Sequence, residues 1–200
     1  MLILGLTGNI GCGKSSLSKI LMQNNIDVID ADIISRNIFE DKELLNLVFE
    51  NFGENIKNLD GSLNRKALGN IVFNDDQKLV ILNGLTHPKI KEKILSKINE
   101  IRNIGKSLVV IDAALLIEGG YLDILDKLIV ITCKESIQIS RIQLRDNLTK
   151  EQAISRMNSQ MSQDEKIKYA DYIIDNSGDT NNLKHKAEEL IRYMKENWCG

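Results

Sequence analysis

Five short apolar runs, at residues 1–7, 26–29, 107–112, 128–132 and 170–176, divide the chain. Each is centred on Leu, Ile and Val and runs into Gly, Thr, Asp or Asn. Runs of that length and content predict strands buried on both faces of a sheet. Between them the apolar positions change period. Leu17, Ile20 and Leu21 recur at helical spacing, as do Ile33, Ile34 and Ile38, then Leu44, Leu47, Val48 and Phe52. Leu183, Ala187, Leu190, Ile191 and Met194 mark a terminal helix. Strands alternating with helices predict an α/β fold, a five-stranded parallel sheet with helices on both faces in three layers.

Two stretches interrupt that alternation. No strand pattern occurs within residues 37–103, so a helical insertion is expected between the second and third strands. Gly53 should stop the helix ending at Phe52, and Asn58-Leu59-Asp60-Gly61 reads as a turn. Asn64 opens a helix carrying Arg65, Leu68, Ile71 and Val72. Residues 77–102 read as two helices broken near Thr86-His87-Pro88, because a proline disfavours helix at the residue before it. The second stretch is 139–167. It holds two capping boxes, Thr149 with Gln152 and Ser162 with Glu165, hence a helix restarted twice. Arg141 and Arg145 stand four apart on one helix face, and Arg156 follows. The expected organisation is one chain with a core of 1–36, 104–138 and 168–200, an insertion at 37–103 and a mobile basic lid at 139–167.

Composition narrows the partners. The 200 residues are 42% hydrophobic and 27% charged, with net charge −2 and 4% aromatics. Such a chain has no general attraction for nucleic acid or anionic membranes, so an anionic ligand needs a local basic cluster. No apolar run reaches the ~20 residues of a membrane span, and the N-terminal run has no basic leader or cleavage site. Cys12, Cys133 and Cys199 have no metal-ligand spacing. Reduced thiols in a cytoplasmic protein are the simplest expectation. Nothing in the pattern sets an oligomeric state.

The chemistry is concentrated between the first run and the first helix. Gly8-Asn9-Ile10-Gly11-Cys12-Gly13-Lys14-Ser15 reads G-x-x-x-x-G-K-S, with Ser16 behind it. Between a strand and a helix this is a phosphate-binding loop, whose backbone N–H groups converge on an anion at the helix N-terminus. Lys14 can reach terminal phosphates, and the Ser15 hydroxyl can ligate magnesium. The second run ends in Asp30 and Asp32. Ligands in such sheets lie beyond the strands' carboxyl ends, so at least one of these acids is expected to act as a base; a helix cap would account for one of them but hardly both. Asp112 closes the third run, where an acid organises water around magnesium. The lid arginines would neutralise charge on a transferring phosphoryl group. Asn176 could hold a base or ribose. His87, before Pro88, reads first as a structural bend.

Taken in order, these motifs resemble dephospho-coenzyme A kinases. Gly5 to Ser16 is similar to that family's GLTGGIGSGKST, and Val28-Ile29-Asp30-Ala31-Asp32 to its V-I-D-A-D. Asp60-Gly61-Ser62-Leu63-Asn64-Arg65 resembles its D-G-x-L-x-R, His87-Pro88 its H-P, and Leu115-Leu116-Ile117-Glu118 its L-L-F-E. Gln138, Arg141, Arg145 and Asp146 follow Q-x-x-R-x-x-x-R-D, and Ile174-Asp175-Asn176 closes the series. The sequence departs at Asn9, Cys12 and Ser16, which backbone binding should tolerate, and at Ala113-Ala114, where a missing proline should loosen the loop.

The resemblance implies a P-loop NTPase fold and ATP-dependent phosphorylation of the ribose 3′-hydroxyl of dephospho-coenzyme A. It also implies site roles. Asp32 would accept the hydroxyl proton. Gly11, Cys12, Gly13, Lys14, Ser15 and Ser16 would hold ATP. Ser15 and Asp112 would serve Mg2+, Asp112 either directly or through water. Arg141 would be catalytic, with Arg145 and Asn176 near the nucleotide. Arg65 and His87 would join Asp32 at the acceptor. Another small-molecule or nucleoside monophosphate kinase of the same fold is the alternative. A guanine-nucleotide switch would need N-K-x-D, which is absent.

Overall fold

In the computed structural model, which describes residues 1–198, the five strands form one parallel sheet. They are β1 (Leu2–Thr7), β2 (Asp27–Asp30), β3 (Leu108–Asp112), β4 (Lys127–Thr132) and β5 (Tyr172–Asp175). Their spatial order is β2-β3-β1-β4-β5. The chain therefore winds to one side of β1 and then to the other. The reversal falls between β1 and β3, and ligands of doubly wound sheets bind beyond the carboxyl ends of the strands at such a point. Asp112 stands opposite Leu6 in the β1–β3 register and opposite Asp30 in the β2–β3 register.

The helices that the pattern predicts follow β1, β2, β4 and β5, while β3 runs into β4 through turns and a short 3-10 segment at Leu122–Ile124. Helices α1 (Lys14–Gln23) and α9 (Thr180–Asn197) pack on one face. Leu17 and Leu21 meet Leu183, Ala187 and Leu190 there, over Leu4, Leu6, Val110 and Ile129. Leu116 and Leu125 pack on the other face, so close to Gly5 that a Cβ there would lie 2.5 Å from Leu125. Helices α6 (Glu135–Asp146), α7 (Lys150–Asn158) and α8 (Gln163–Ile167) follow β4, the latter two opened by the expected capping boxes.

Residues 1–30 with 97–200 form one compact unit and 31–96 another. The second contains α2 (Ala31–Asn37), α3 (Lys42–Phe52), α4 (Arg65–Val72) and most of α5 (Asp76–Asn103). Gly53 ends α3 at φ 86°, and the Asn64 side chain caps α4 by accepting from the Ala67 N–H. The expected break at Pro88 does not occur, for α5 runs unbroken through it. A proline ring opposes the carbonyl four residues back. Here that residue is Gly84, whose backbone can tilt most easily, and the burial of Ile90, Ile94 and Ile98 holds the continuous helix against the local cost. Trp198 caps α9; the expectation for Cys199 falls outside the described residues. No helix among the described residues is long and apolar enough to cross a membrane.

Candidate active site

The loop between β1 and α1 is shaped by close approaches that only glycine allows. A Cβ on Gly8 would lie 2.4 Å from the Ile131 carbonyl oxygen. Gly13 caps α1 at φ 93°, and a Cβ there would sit 2.2 Å from the Asn176 amide nitrogen. The first turn of α1 carries no acid, so its positive dipole end is left for an anion. Ser15 and Ser16 are exposed at that end.

Lys14 is ion-paired with Asp112, at the end of β3. The other Asp112 oxygen accepts from the Ser18 hydroxyl, one turn further along α1. Burial pushes the Asp112 carboxyl above its ordinary value, against the pull of Lys14 and Ser18, and the Asp30 charge adds to the rise. Ser18 was not among the residues expected to matter. Its only signal is a buried hydroxyl position on the same α1 face as Leu17 and Leu21.

Arg141 on α6 donates to the carbonyl oxygens of Asn176 (3.0 Å) and Gly178 (3.1 Å). The Asn176 amide, expected to hold a base or ribose, instead donates to the Cys12 carbonyl at 2.8 Å. It fixes the loop. Gly13, Ser16, Arg141, Asn176, Asp179, Thr180 and Leu183 enclose a recess of about 190 Å³ beside it. Arg145 takes both oxygens of Asp146, at 2.8 Å each, and Arg156 reaches the same carboxylate at 2.6 Å. Those two charges hold Asp146 below its ordinary range, Arg145 foremost. The expected lid is thus cross-braced by its own arginines.

A second set of contacts ties that segment to the loop. Asn9 donates to the Met161 carbonyl at 2.8 Å, the Ile10 N–H to Gln160 at 2.9 Å, and Gln138 to the Ile10 carbonyl at 2.7 Å. Asn9, expected to be a neutral replacement for glycine, therefore carries a contact of its own. Gln163 accepts from the Cys133 N–H (2.9 Å) and donates to its carbonyl (3.1 Å).

Lys166, on α8, is fully buried. Its ammonium donates to Ala114 O (2.8 Å) and to both oxygens of Glu118 (2.9 and 3.0 Å). Thr7 also donates to Ala114 O, at 3.1 Å, and the Ala113 N–H to Leu6 O at 3.1 Å. The loop after Asp112, expected to be loose for want of a proline, is pinned by these bonds. Nothing in the local sequence marks Lys166, which reads as one more lysine of a basic helix. Lys166→Met should leave Glu118 partly buried without its counter-charge and cost about 3 kcal/mol. A urea titration of the variant, with an unchanged slope and a lower midpoint, checks this.

Asp32, Arg65 and His87 belong to the 31–96 unit. Asp32 lies in the first turn of α2, two residues beyond the end of β2, and is half-buried. Arg65 opens α4, donates to the Arg36 carbonyl and lies 5.3 Å from the Phe39 ring centre. His87 lies within α5, half-buried, and makes no bend.

Comparison with known proteins agrees along nearly the whole chain. The family described as dephospho-CoA kinase matches residues 2–182. A dephospho-CoA kinase of Carboxydothermus hydrogenoformans is 36% identical over 194 residues, covering 96% of this chain and 94% of the relative. The structure of a dephospho-CoA kinase from Campylobacter jejuni is similar with a TM-score of 0.74 at 32% identity, covering 97% of each chain. A shikimate kinase from Bacteroides thetaiotaomicron shares the fold alone, with a TM-score of 0.52 at 13% identity over 97% of this chain and 98% of that one.

Proposed function

The chain belongs to the dephospho-CoA kinase family, and from that premise we propose that it transfers the γ-phosphoryl group of ATP to the ribose 3′-hydroxyl of dephospho-CoA. This is the last step of coenzyme A synthesis. The observation that supports it most strongly is the loop built around Gly13, Lys14 and Ser15, in a chain that matches the family over residues 2–182.

Gly11 and Gly13 offer backbone N–H groups to the phosphates, while the Cys12 N–H, expected to join them, donates to the Asn9 carbonyl at 3.0 Å and shapes the turn; Lys14 balances the β- and γ-phosphate charge. Asp32 takes the proton of the acceptor hydroxyl. Arg65 and His87, in the 37–103 insertion, contact the acceptor. The recess beside Asn176 takes the nucleoside end of ATP, with Ser16 and Arg141 on its walls. Closure of the 139–167 segment excludes water, which otherwise competes as acceptor. The working compartment is the cytoplasm.

The donor set suits magnesium. Ser15 offers a hydroxyl and Asp112 a carboxylate, both hard oxygen ligands. Among the described residues no cluster of three or more His, Cys, Asp or Glu could hold an ion by itself. That fits an ion which keeps its waters and binds mainly through substrate phosphates. When bound, it withdraws charge from the phosphate oxygens.

Arg141→Ala should lower turnover by about 100-fold while weakening ATP binding much less, because charge on the phosphoryl group is greatest in transfer. Single-turnover rates set beside equilibrium ATP binding check this. Equal losses would make Arg141 only a brace for Asn176 and Gly178. The function itself is tested by ADP release with dephospho-CoA, AMP or shikimate as acceptor. Dephospho-CoA should be preferred by orders of magnitude. Faster turnover of AMP or shikimate would assign the chain to another acceptor.

A further inference from the structure

The phosphate loop carries a thiol, and a second thiol waits beside it. Cys12 lies between Gly11 and Gly13 and is fully buried; Cys133, immediately after β4, is 5% exposed. The two residues are 121 positions apart in sequence, yet their Sγ atoms are 3.5 Å apart. Both are free thiols. Neither is used by the phosphoryl-transfer chemistry, in which Cys12 contributes only its backbone.

The pair is asymmetric. Cys133 sits on the sheet scaffold, its N–H and carbonyl both held by Gln163. Cys12 sits in a segment flanked by glycines at φ 84° and 93°, which can shift. Contact with Cys12 and then the Arg141 charge draw the Cys133 thiol below its ordinary value. Contact with Cys133 and burial push Cys12 up. The thiol that ionises more readily is the nucleophile of oxidation, and its neighbour is the resolving thiol.

We propose that Cys12 and Cys133 are a modification site for peroxides, closing to a reversible disulfide that disables the phosphate loop. The Cys133 sulfur attacks the O–O bond of hydrogen peroxide. An S–O bond forms, the O–O bond breaks, and hydroxide leaves with a proton as water. Cys12 then gives up its proton and attacks the sulfenyl sulfur. The S–S bond forms, the S–O bond breaks, and a second water departs. Two thiols and one peroxide give one disulfide and two waters, so the two electrons lost by sulfur reduce the peroxide. A dithiol reverses it by exchange.

Closing the bond draws the sulfurs from 3.5 Å to roughly 2.05 Å, and the glycine-flanked Cys12 yields rather than the strand end. The turn in which the Cys12 N–H donates to the Asn9 carbonyl at 3.0 Å is then distorted, and with it the loop that presents the Gly11 and Gly13 N–H groups. This consequence rests on the reading of the loop as the ATP site. A displacement of that size should cost about 100-fold in turnover. Because both sulfurs are buried, peroxide reaches them when the loop opens, and ATP bound on the loop slows the reaction.

The test uses the full chain carrying Cys199→Ser, which leaves only the two thiols. It is treated with hydrogen peroxide, unfolded, alkylated and weighed intact. The expected product takes up no alkyl group and is two hydrogens lighter than the reduced protein. ATP binding and turnover should fall with its yield, and dithiothreitol should restore both. Adding Cys133→Ser, with Cys133→Ala as a second version, should preserve turnover before and after the same treatment. The proposal is overturned if both thiols still alkylate, if the disulfide forms without loss of ATP binding, or if the Cys133 variants are inactivated equally. Should the reduced protein bind ATP but fail to phosphorylate dephospho-CoA, the assignment of the acceptor falls. The mass and ATP-binding measurements then still decide the disulfide.

Discussion

Asp32→Asn is expected to lower turnover with dephospho-CoA by about 1,000-fold and to leave ATP affinity within about twofold, since a positioned base contributes two to four orders of magnitude to proton transfer. The substitution keeps the size of the side chain and a hydrogen-bond acceptor but removes the charge and the ability to take a proton. Asp32 follows β2 by two residues, and β2 ends beside β3 in register with Asp112. The residue that ends the strand, Asp30, already carries a neighbour's role, since its charge contributes to the raised Asp112 carboxyl. The base is therefore assigned to the half-buried Asp32, in the first turn of α2. The decisive measurement is a pair of numbers on one preparation, equilibrium ATP binding and single-turnover transfer. If both fall together, Asp32 holds the nucleotide or the fold, and proton removal passes to another group. Asp30→Asn provides the contrast, with its effect expected on magnesium dependence more than on the acceptor.

The parts of this site that were legible in the sequence share one property: their meaning is local. Gly8, Gly13, Lys14 and Ser15 announce a phosphate loop because the strand before them and the helix after them are written in adjacent residues. The same holds for the capping boxes at Thr149 and Ser162, and for the strand ending in Asp112. What was not legible depends on partners far along the chain. Lys166 meets Glu118 across 48 positions, Gln163 meets Cys133 across 30, and Asn176 meets Cys12 across 164. On α8, Lys166 and Gln163 are unremarked polar residues, and Asn176, singled out after the last strand, gave no sign of its Cys12 partner. Pro88 failed in the opposite way. Its local rule was sound, but the buried Ile90, Ile94 and Ile98 beyond the proline outweigh one missing hydrogen bond. Arg145 shows a third case, since Asp146 beside it was visible in the sequence but only the structure shows that it takes up the Arg145 charge.

Lys14→Met should be the most damaging single change at the donor side, lowering turnover by about 1,000-fold and weakening ATP binding as well. Two losses act together. The β- and γ-phosphates lose their cation, and Asp112 loses the partner that opposes its burial. With only Ser18 left to favour the charged form, the Asp112 carboxyl rises further above its ordinary value and holds its proton at higher pH. A protonated Asp112 is a poor partner for the waters of magnesium, so the variant should need more magnesium and should recover partly as pH rises. Stability should move the other way. A carboxyl whose folded value lies above its unfolded value stabilises the fold fully at acid pH and loses that contribution as pH climbs through the folded value. In Lys14→Met that loss is set at higher pH than in the parent protein. Denaturation midpoints across pH, read beside magnesium titrations of turnover, test both signs. Should the variant instead gain turnover at low pH, or lose stability at acid rather than rising pH, Asp112 would not be the group that Lys14 holds in its charged form.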